Sequence, residues 1–206
     1  QMCIRDRGFD KFYGFISGAG NYFKPEGPRF IFEGNEKIEI NDEDYYTTDA
    51  FTDKAIEYID KVKSENSEKP FFLYLSYNAP HWPLQAPKEN IDKYRGNYMK
   101  GWQNLREERY KRMIEMGLID SSWDLSYDDI VSWDSLSKGK REEMDLRMAI
   151  YAAMIDRMDQ NIGRLISDLK SKGLYDNTII MFLNDNGACA ENQMLGSGPK
   201  EQLETK

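Results

Sequence analysis

Three stretches of the chain carry a regular apolar pattern, and each predicts one element. Between about Ser137 and Lys172, Met144, Met148, Tyr151, Ile155, Met158, Ile162, Leu165 and Leu169 recur in steps of four and three. That spacing lays one apolar stripe along a long helix, and Gly173 supplies its stop. The second and third stretches, Phe71-Phe-Leu-Tyr-Leu-Ser-Tyr77 and Thr178-Ile-Ile-Met-Phe-Leu183, are short and almost wholly apolar. Such runs predict strands buried on both faces, as in a parallel sheet. A long helix feeding a buried strand through the short turn 174–177 reads as the second half of a right-handed β-α-β crossover.

The remaining pattern is weaker. Phe51, Ala55, Ile59 and Val62 predict a helix to about Lys63, with Thr48 or Asp49 as its cap. Phe30–Phe32 and Lys37–Ile40 predict a short strand pair around Glu33-Gly-Asn35. Residues 84–135 read as an insertion between core elements. Within them Ile91, Tyr94 and Tyr98 mark a short helix or turn, and Trp102, Leu105, Arg109 and Met113 a charged helix ending near Gly117. Residues 1–7 read as a foreign piece joined during sequence assembly and are set aside. Residues 8–206 are expected to be a fragment of one domain, cut at both ends.

Charge and composition narrow the function. The 206 residues carry a formal charge of −8, which gives no attraction to nucleic acid or anionic membrane. No apolar run reaches the length of a membrane span. Two cysteines, Cys3 and Cys189, make no disulfide framework. The single histidine, His81, excludes a site built from several imidazoles.

Both strand-like runs end in polar turns, where open α/β sheets place their ligands. Asn184-Asp-Asn-Gly187 offers Asp185 and Asn186 as adjacent oxygen donors, the kind a hard cation selects. The same tripeptide is also an ordinary turn. Asn78-Ala-Pro-His-Trp-Pro83 carries His81, which reads either as a hydrogen-bonded structural residue or as a proton donor near neutral pH. Asp156 and Asp159, on the long helix, suit helix-to-loop hydrogen bonds better than metal. Tyr13, Tyr22 and Phe23 fit a cleft or a core equally.

Four blocks in order, Arg7-Gly-Phe-Asp-Lys-Phe-Tyr-Gly14, the run from Lys69 to Ala86 containing Ala79-Pro-His-Trp-Pro83, Tyr151 to Gly163, and Asn184-Asp-Asn-Gly-Ala-Cys-Ala-Glu191, resemble those of bacterial arylsulfatases. These are formylglycine-dependent sulfatases of the alkaline-phosphatase superfamily. The resemblance implies a partial α/β sulfatase-like domain, a mixed sheet flanked by helices, incomplete at both ends. It implies hydrolysis of sulfate esters by a formylglycine hydrate made from a Cys or Ser in a Cys/Ser-x-Pro-x-Arg motif. It also implies a bound Ca²⁺, with Mg²⁺ as the alternative, held in part by Asp185 and Asn186, and a catalytic role for His81 at the leaving group or a sulfate oxygen. The substrate would be a sulfated small molecule or glycan, and the location periplasmic or secreted. The nucleophile motif has no match here: Arg5 stands where Cys3 would need its proline, so the polypeptide as written is expected to be inactive. Two other readings remain open, a one-metal phosphoester or phosphonate hydrolase of the same superfamily and a non-catalytic sulfate- or glycan-binding protein.

Overall fold

The structure is a computed structural model that describes residues 8–18, 20–126 and 130–187, together with the backbone of Glu204–Thr205. Its first element is a three-stranded antiparallel sheet made of β1 (Tyr13–Phe15), β2 (Ile31–Glu33) and β3 (Glu36–Ile38). The β2–β3 hairpin turns where the Glu33-Gly-Asn35 signal placed it, with Glu33 opposite Glu36. Next come α1 (Thr47–Glu65), β4 (Gln85–Ala86), α2 (Lys88–Asp92), α3 (Trp102–Glu115) and α4 (Lys138–Ser171). A two-residue strand, β5 (Glu204–Thr205), pairs in parallel with β4. No helix among the described residues is long and apolar enough to cross a membrane.

α4 begins where its pattern predicts, on Ser137, whose side chain accepts from the Lys140 N–H at 3.3 Å. It ends on Gly173, whose φ of +67° is the left-handed turn that favours glycine. The buried face is rotated from the predicted stripe. Ala149, Ile150, Ala153 and Met154 are fully buried, whereas Met148 and Ile155 stay exposed at 42% and 39%. The reason lies in the alanines. Ala149 and Ala153 let Tyr22, Phe23 and Tyr46 approach the helix closely, and those aromatics close the main core with Ala79, Ala86 and Ile91. Burying a side chain such as Ile150 or Met154 contributes roughly 1.5–3 kcal/mol.

α1 and α4 lie side by side, tied by a row of ion pairs. Asp49 meets Arg157 with two bonds of 2.8 and 2.6 Å, Asp53 meets Arg164, and Asp60 meets Lys172. The numbers rise together on both helices, so the two run in the same direction. α1 has Tyr46 as N-cap with no side-chain cap bond, which corrects the expected Thr48 or Asp49 cap. Thr48 is wholly buried and Asp49 is taken up by Arg157.

The two runs read as buried strands are corrected more deeply. Neither 71–77 nor 178–183 has a ladder partner among the described residues. In the first, Leu75 and Tyr77 pack on the small cluster of Ile31, Tyr45 and Phe51, while Phe72 and Tyr74 face outward at 76% and 69% exposure. In the second, Ile179, Met181, Phe182 and Leu183 are 89%, 76%, 68% and 82% exposed. The predicted crossover therefore ends in an unpaired segment after the turn Tyr175–Asn177. A strand exists only where a neighbour completes its hydrogen bonds, and apolar periodicity does not report whether that neighbour is present. An apolar patch of this kind binds other apolar surface. The chain is expected to enhance the fluorescence of anilinonaphthalene sulfonate and to self-associate. Replacing Ile179, Met181 and Leu183 together by threonine should suppress both, as read by dye titration and light scattering.

Asp156 projects from α4 to hydrogen bonds, as its position predicts. It accepts from Asn90 Nδ2 at 2.9 Å, Lys93 Nζ at 2.9 Å and Gln160 Nε2 at 3.0 Å. Partial burial pushes its carboxyl up, but these donors outweigh that and hold it below the usual carboxylate range. The folded carboxyl is the stronger acid, so its contribution to stability is complete above the unfolded carboxylate value and is lost as pH falls through the folded one. Asp156→Asn should therefore narrow the difference in stability between pH 7 and pH 3 in paired urea titrations.

Candidate functional site

His81 sits in the turn Asn78–Pro83, between the 71–77 segment and β4. Its backbone N–H donates to the Asn78 carbonyl at 2.8 Å. Its Nδ1 lies 2.7 Å from the Trp82 carbonyl oxygen. A carbonyl only accepts, so Nδ1 carries a hydrogen, and Nε2 is left as the outward working nitrogen of an exposed ring. Neutral, Nε2 accepts a proton; charged, it donates one. Both side-chain amide atoms of Asn78 in the same turn are buried without a hydrogen-bond partner among the described residues.

The turn is held from below by Tyr22. Its hydroxyl lies 2.9 Å from the carbonyl oxygens of both Asn78 and His81. Its own N–H donates to Gln85 Oε1 at 2.8 Å, and the Tyr46 hydroxyl donates to the Gln85 carbonyl at 2.9 Å. The two tyrosine rings stack at 5.6 Å. Burial, reinforced by Tyr46, pushes the Tyr22 hydroxyl far above the ordinary phenol range, so it remains a proton donor to those carbonyls at any working pH. Sequence reasoning left Tyr22 open between cleft and core and gave Gln85 no role. Gln85, a polar residue one position after an apolar leucine in the block that carries His81, was the available signal. Tyr22→Phe is expected to keep the fold, cost about 1 kcal/mol, and broaden the NMR signals of the His81 ring relative to the parent chain.

Asp185 and Asn186 follow the 178–183 segment, and both are exposed. Asp185 Oδ1 accepts from the Asn186 N–H at 2.9 Å, and Asn186 Nδ2 donates to the Gly187 carbonyl at 2.6 Å. These local bonds leave Asp185 Oδ2 and the Asn186 carbonyl oxygen as two adjacent hard donors. The structure thus brings Asp185 and Asn186 together. No hydrogen bond joins either of them to His81 among the described residues, and neither of the two clefts that stand out on the surface is lined by any of the three. No group of three or more His, Cys, Asp or Glu side chains suited to a metal occurs among the described residues. Cys3 and Cys189 lie outside those residues.

A family model for sulfatases matches residues 1–205. The chain belongs to the sulfatase family. It is 36% identical over 197 residues to an uncharacterized sulfatase of Schizosaccharomyces pombe, an alignment covering 88% of this chain and 35% of that protein. It is 32% identical to an arylsulfatase of Klebsiella aerogenes, covering 89% of this chain and 41% of that one. Among solved structures it resembles Ps i-CgsB, crystallised in complex with k-i-k-neocarrahexaose, with a TM-score of 0.51 and 25% identity over 84% of this chain and 31% of that one. The sulfatase chain described here thus spans about a third of the length of these relatives. Its class is the α/β sulfatase fold.

Membership of the sulfatase family implies a divalent cation. Asp185 and Asn186 fit one as far as they go: both free atoms are oxygens, one anionic and one neutral. They would supply two of the six or more ligands that a cation such as Ca²⁺ takes.

Proposed function

We propose that this chain carries part of the catalytic site of a sulfate-ester hydrolase, with His81 as the residue that handles the leaving group and Asp185 and Asn186 as cation ligands. The observation that carries the reading is the anchoring of the exposed His81 ring through Nδ1 to the Trp82 carbonyl, which turns Nε2 outward. With Nδ1–H on the Trp82 carbonyl and Nε2 outward, the charged ring can give a proton from Nε2 to a departing alkoxide or donate to a sulfate oxygen. Tyr22 keeps the turn in register, so Nε2 is positioned before substrate arrives. Bound at Asp185 and Asn186, a Ca²⁺ ion would supply Lewis-acid neutralisation of the sulfate oxygens; Mg²⁺ is the alternative. The nucleophile implied by the resemblance, a formylglycine hydrate, is assigned to no residue of this chain. Sulfated glycans are the favoured substrates, on the strength of the carbohydrate complex of the structural relative.

The test is hydrolysis by the protein expressed from its complete gene, comparing matched sugar sulfate and sugar phosphate esters. Sulfate turnover well above phosphate turnover, lost on His81→Ala, is the expected result. Phosphate turnover above sulfate would establish the phosphoester-hydrolase reading in its place. Binding of sulfated sugars without turnover of either ester would establish the non-catalytic one.

A further inference from the structure

We infer that the cleft between α3 and residues 119–126 binds one sulfated sugar unit, a subsite that rests on the sulfate-ester reading above and refines its substrate class. Arg106, Arg109, Tyr110 and Met113 all line this cleft of about 310 Å³, and their spacing puts them on one face of α3. That volume is at the small end for ligand clefts and suits one ring rather than an oligosaccharide. The opposite wall is strapped to the helix. Arg106 Nη2 donates to the Ser126 carbonyl and hydroxyl, both at 2.6 Å, and the Tyr110 hydroxyl donates to the Trp123 carbonyl at 2.6 Å.

The base of the lobe is also fixed. Trp102 Nε1 donates to the Val131 carbonyl at 2.9 Å and its ring meets Trp133 edge-on at 5.0 Å. Gly101, with φ +87°, lies under that ring, where a Cβ would stand 2.5 Å from Trp133 Cγ.

Three groups are then presented to solvent together. The Trp123 indole is 64% exposed beside the cleft although its backbone is tied down, the arrangement of a flat apolar platform for a sugar face. The Arg109 guanidinium is exposed and forms no ion pair among the described residues. It offers a planar fork of N–H donors that matches the oxygens of an oxyanion. Asp124 lines the same cleft and accepts hydrogen bonds from sugar hydroxyls. Platform, fork and acceptor together select a ring that is both hydroxylated and sulfated. A bare anion would meet the Asp124 carboxylate, and a neutral sugar would leave Arg109 unused.

The experiment is calorimetric titration of the protein expressed from its complete gene, carrying His81→Ala and Asp185→Ala to silence the proposed catalytic site, with a sulfated disaccharide and with the same sugar chemically desulfated. Circular dichroism verifies each variant's fold. The expected result is binding at least tenfold tighter for the sulfated sugar, accompanied by a change in tryptophan fluorescence. Trp123→Ala and Arg109→Gln should each weaken it at least tenfold, and Arg109→Lys should recover part of the loss. No binding, equal binding of both sugars, or binding unchanged by Arg109→Gln overturns the subsite. Binding seen only when His81 and Asp185 are restored would overturn it while leaving the proposed catalytic reading in place. Phosphate preference in the ester assay would remove that reading without altering the titration.

Discussion

His81→Ala is expected to lower sulfate-ester turnover by roughly 10²–10⁴-fold, the usual contribution of a positioned proton-transfer group, while leaving the melting temperature close to that of the parent. The second half follows from the structure. His81 is exposed, and its ring makes one side-chain hydrogen bond, to the neighbouring Trp82 carbonyl, so little packing is lost with it. The loss should depend on the leaving group. An ester of a strongly acidic phenol departs as a stable anion and has little need of a proton. Against such a substrate the variant should approach the parent, whereas against a sugar sulfate, whose alkoxide is strongly basic, the full loss should appear. A defect of equal size on both esters would point to a sulfate-binding role for His81 and away from proton transfer. His81→Gln separates the two further, since it can donate a hydrogen bond but cannot deliver a proton.

The largest effect on stability is expected from Asp49→Ala. Asp49 receives two bonds from Arg157 and a third from Asn161 Nδ2 at 2.6 Å. Arg157 is held above the ordinary guanidinium range chiefly by Asp49, against the opposing effect of its partial burial. Asn161 is only 1% exposed. Removing the carboxylate strands one partly buried cation at the junction of α1 and α4 and takes one hydrogen bond from the buried Asn161 amide, which keeps its bonds to the Arg157 carbonyl and Arg164. Losses of this kind cost about 3 kcal/mol in total, as read by urea denaturation. Arg157→Ala removes the cation with the pair, so the double variant should be less destabilised than the two single losses added together. Strict additivity would show that the contact does not join the helices energetically.

The helices were legible in the sequence because their evidence is local. Ser137 and Gly173 mark the ends of α4 chemically, and the glycine-centred turn at 33–35 sets the hairpin register. The face of α4 was legible only in part. A hydrophobicity count favours methionine and isoleucine, whereas the core selected Ala149 and Ala153 because close approach by aromatic rings needs small residues. The two apolar runs failed as strands for a different reason. A ladder belongs to two segments, and Ile179–Leu183 carries its apolar character whether or not a neighbour pairs with it. At the site, His81, Asp185 and Asn186 stood out by chemical type and by the turns that follow the runs. Tyr22 did not, because an aromatic beside glycines suits a core as well as a cleft. Its role emerged only from the two carbonyls that its hydroxyl holds.

On the proposed reading, the His81 turn and the Asp185–Asn186 turn serve one sulfate. The most direct measurement is a crystal structure of the protein from its complete gene, grown with Ca²⁺ and a non-hydrolysable sulfate analogue. The expected result is a cation about 2.3–2.6 Å from oxygens of Asp185 and Asn186, with a sulfate oxygen on that cation and His81 Nε2 within about 3.2 Å of the ester group. A cation held elsewhere, or His81 and Asp185 opening onto opposite faces of the domain, would contradict it.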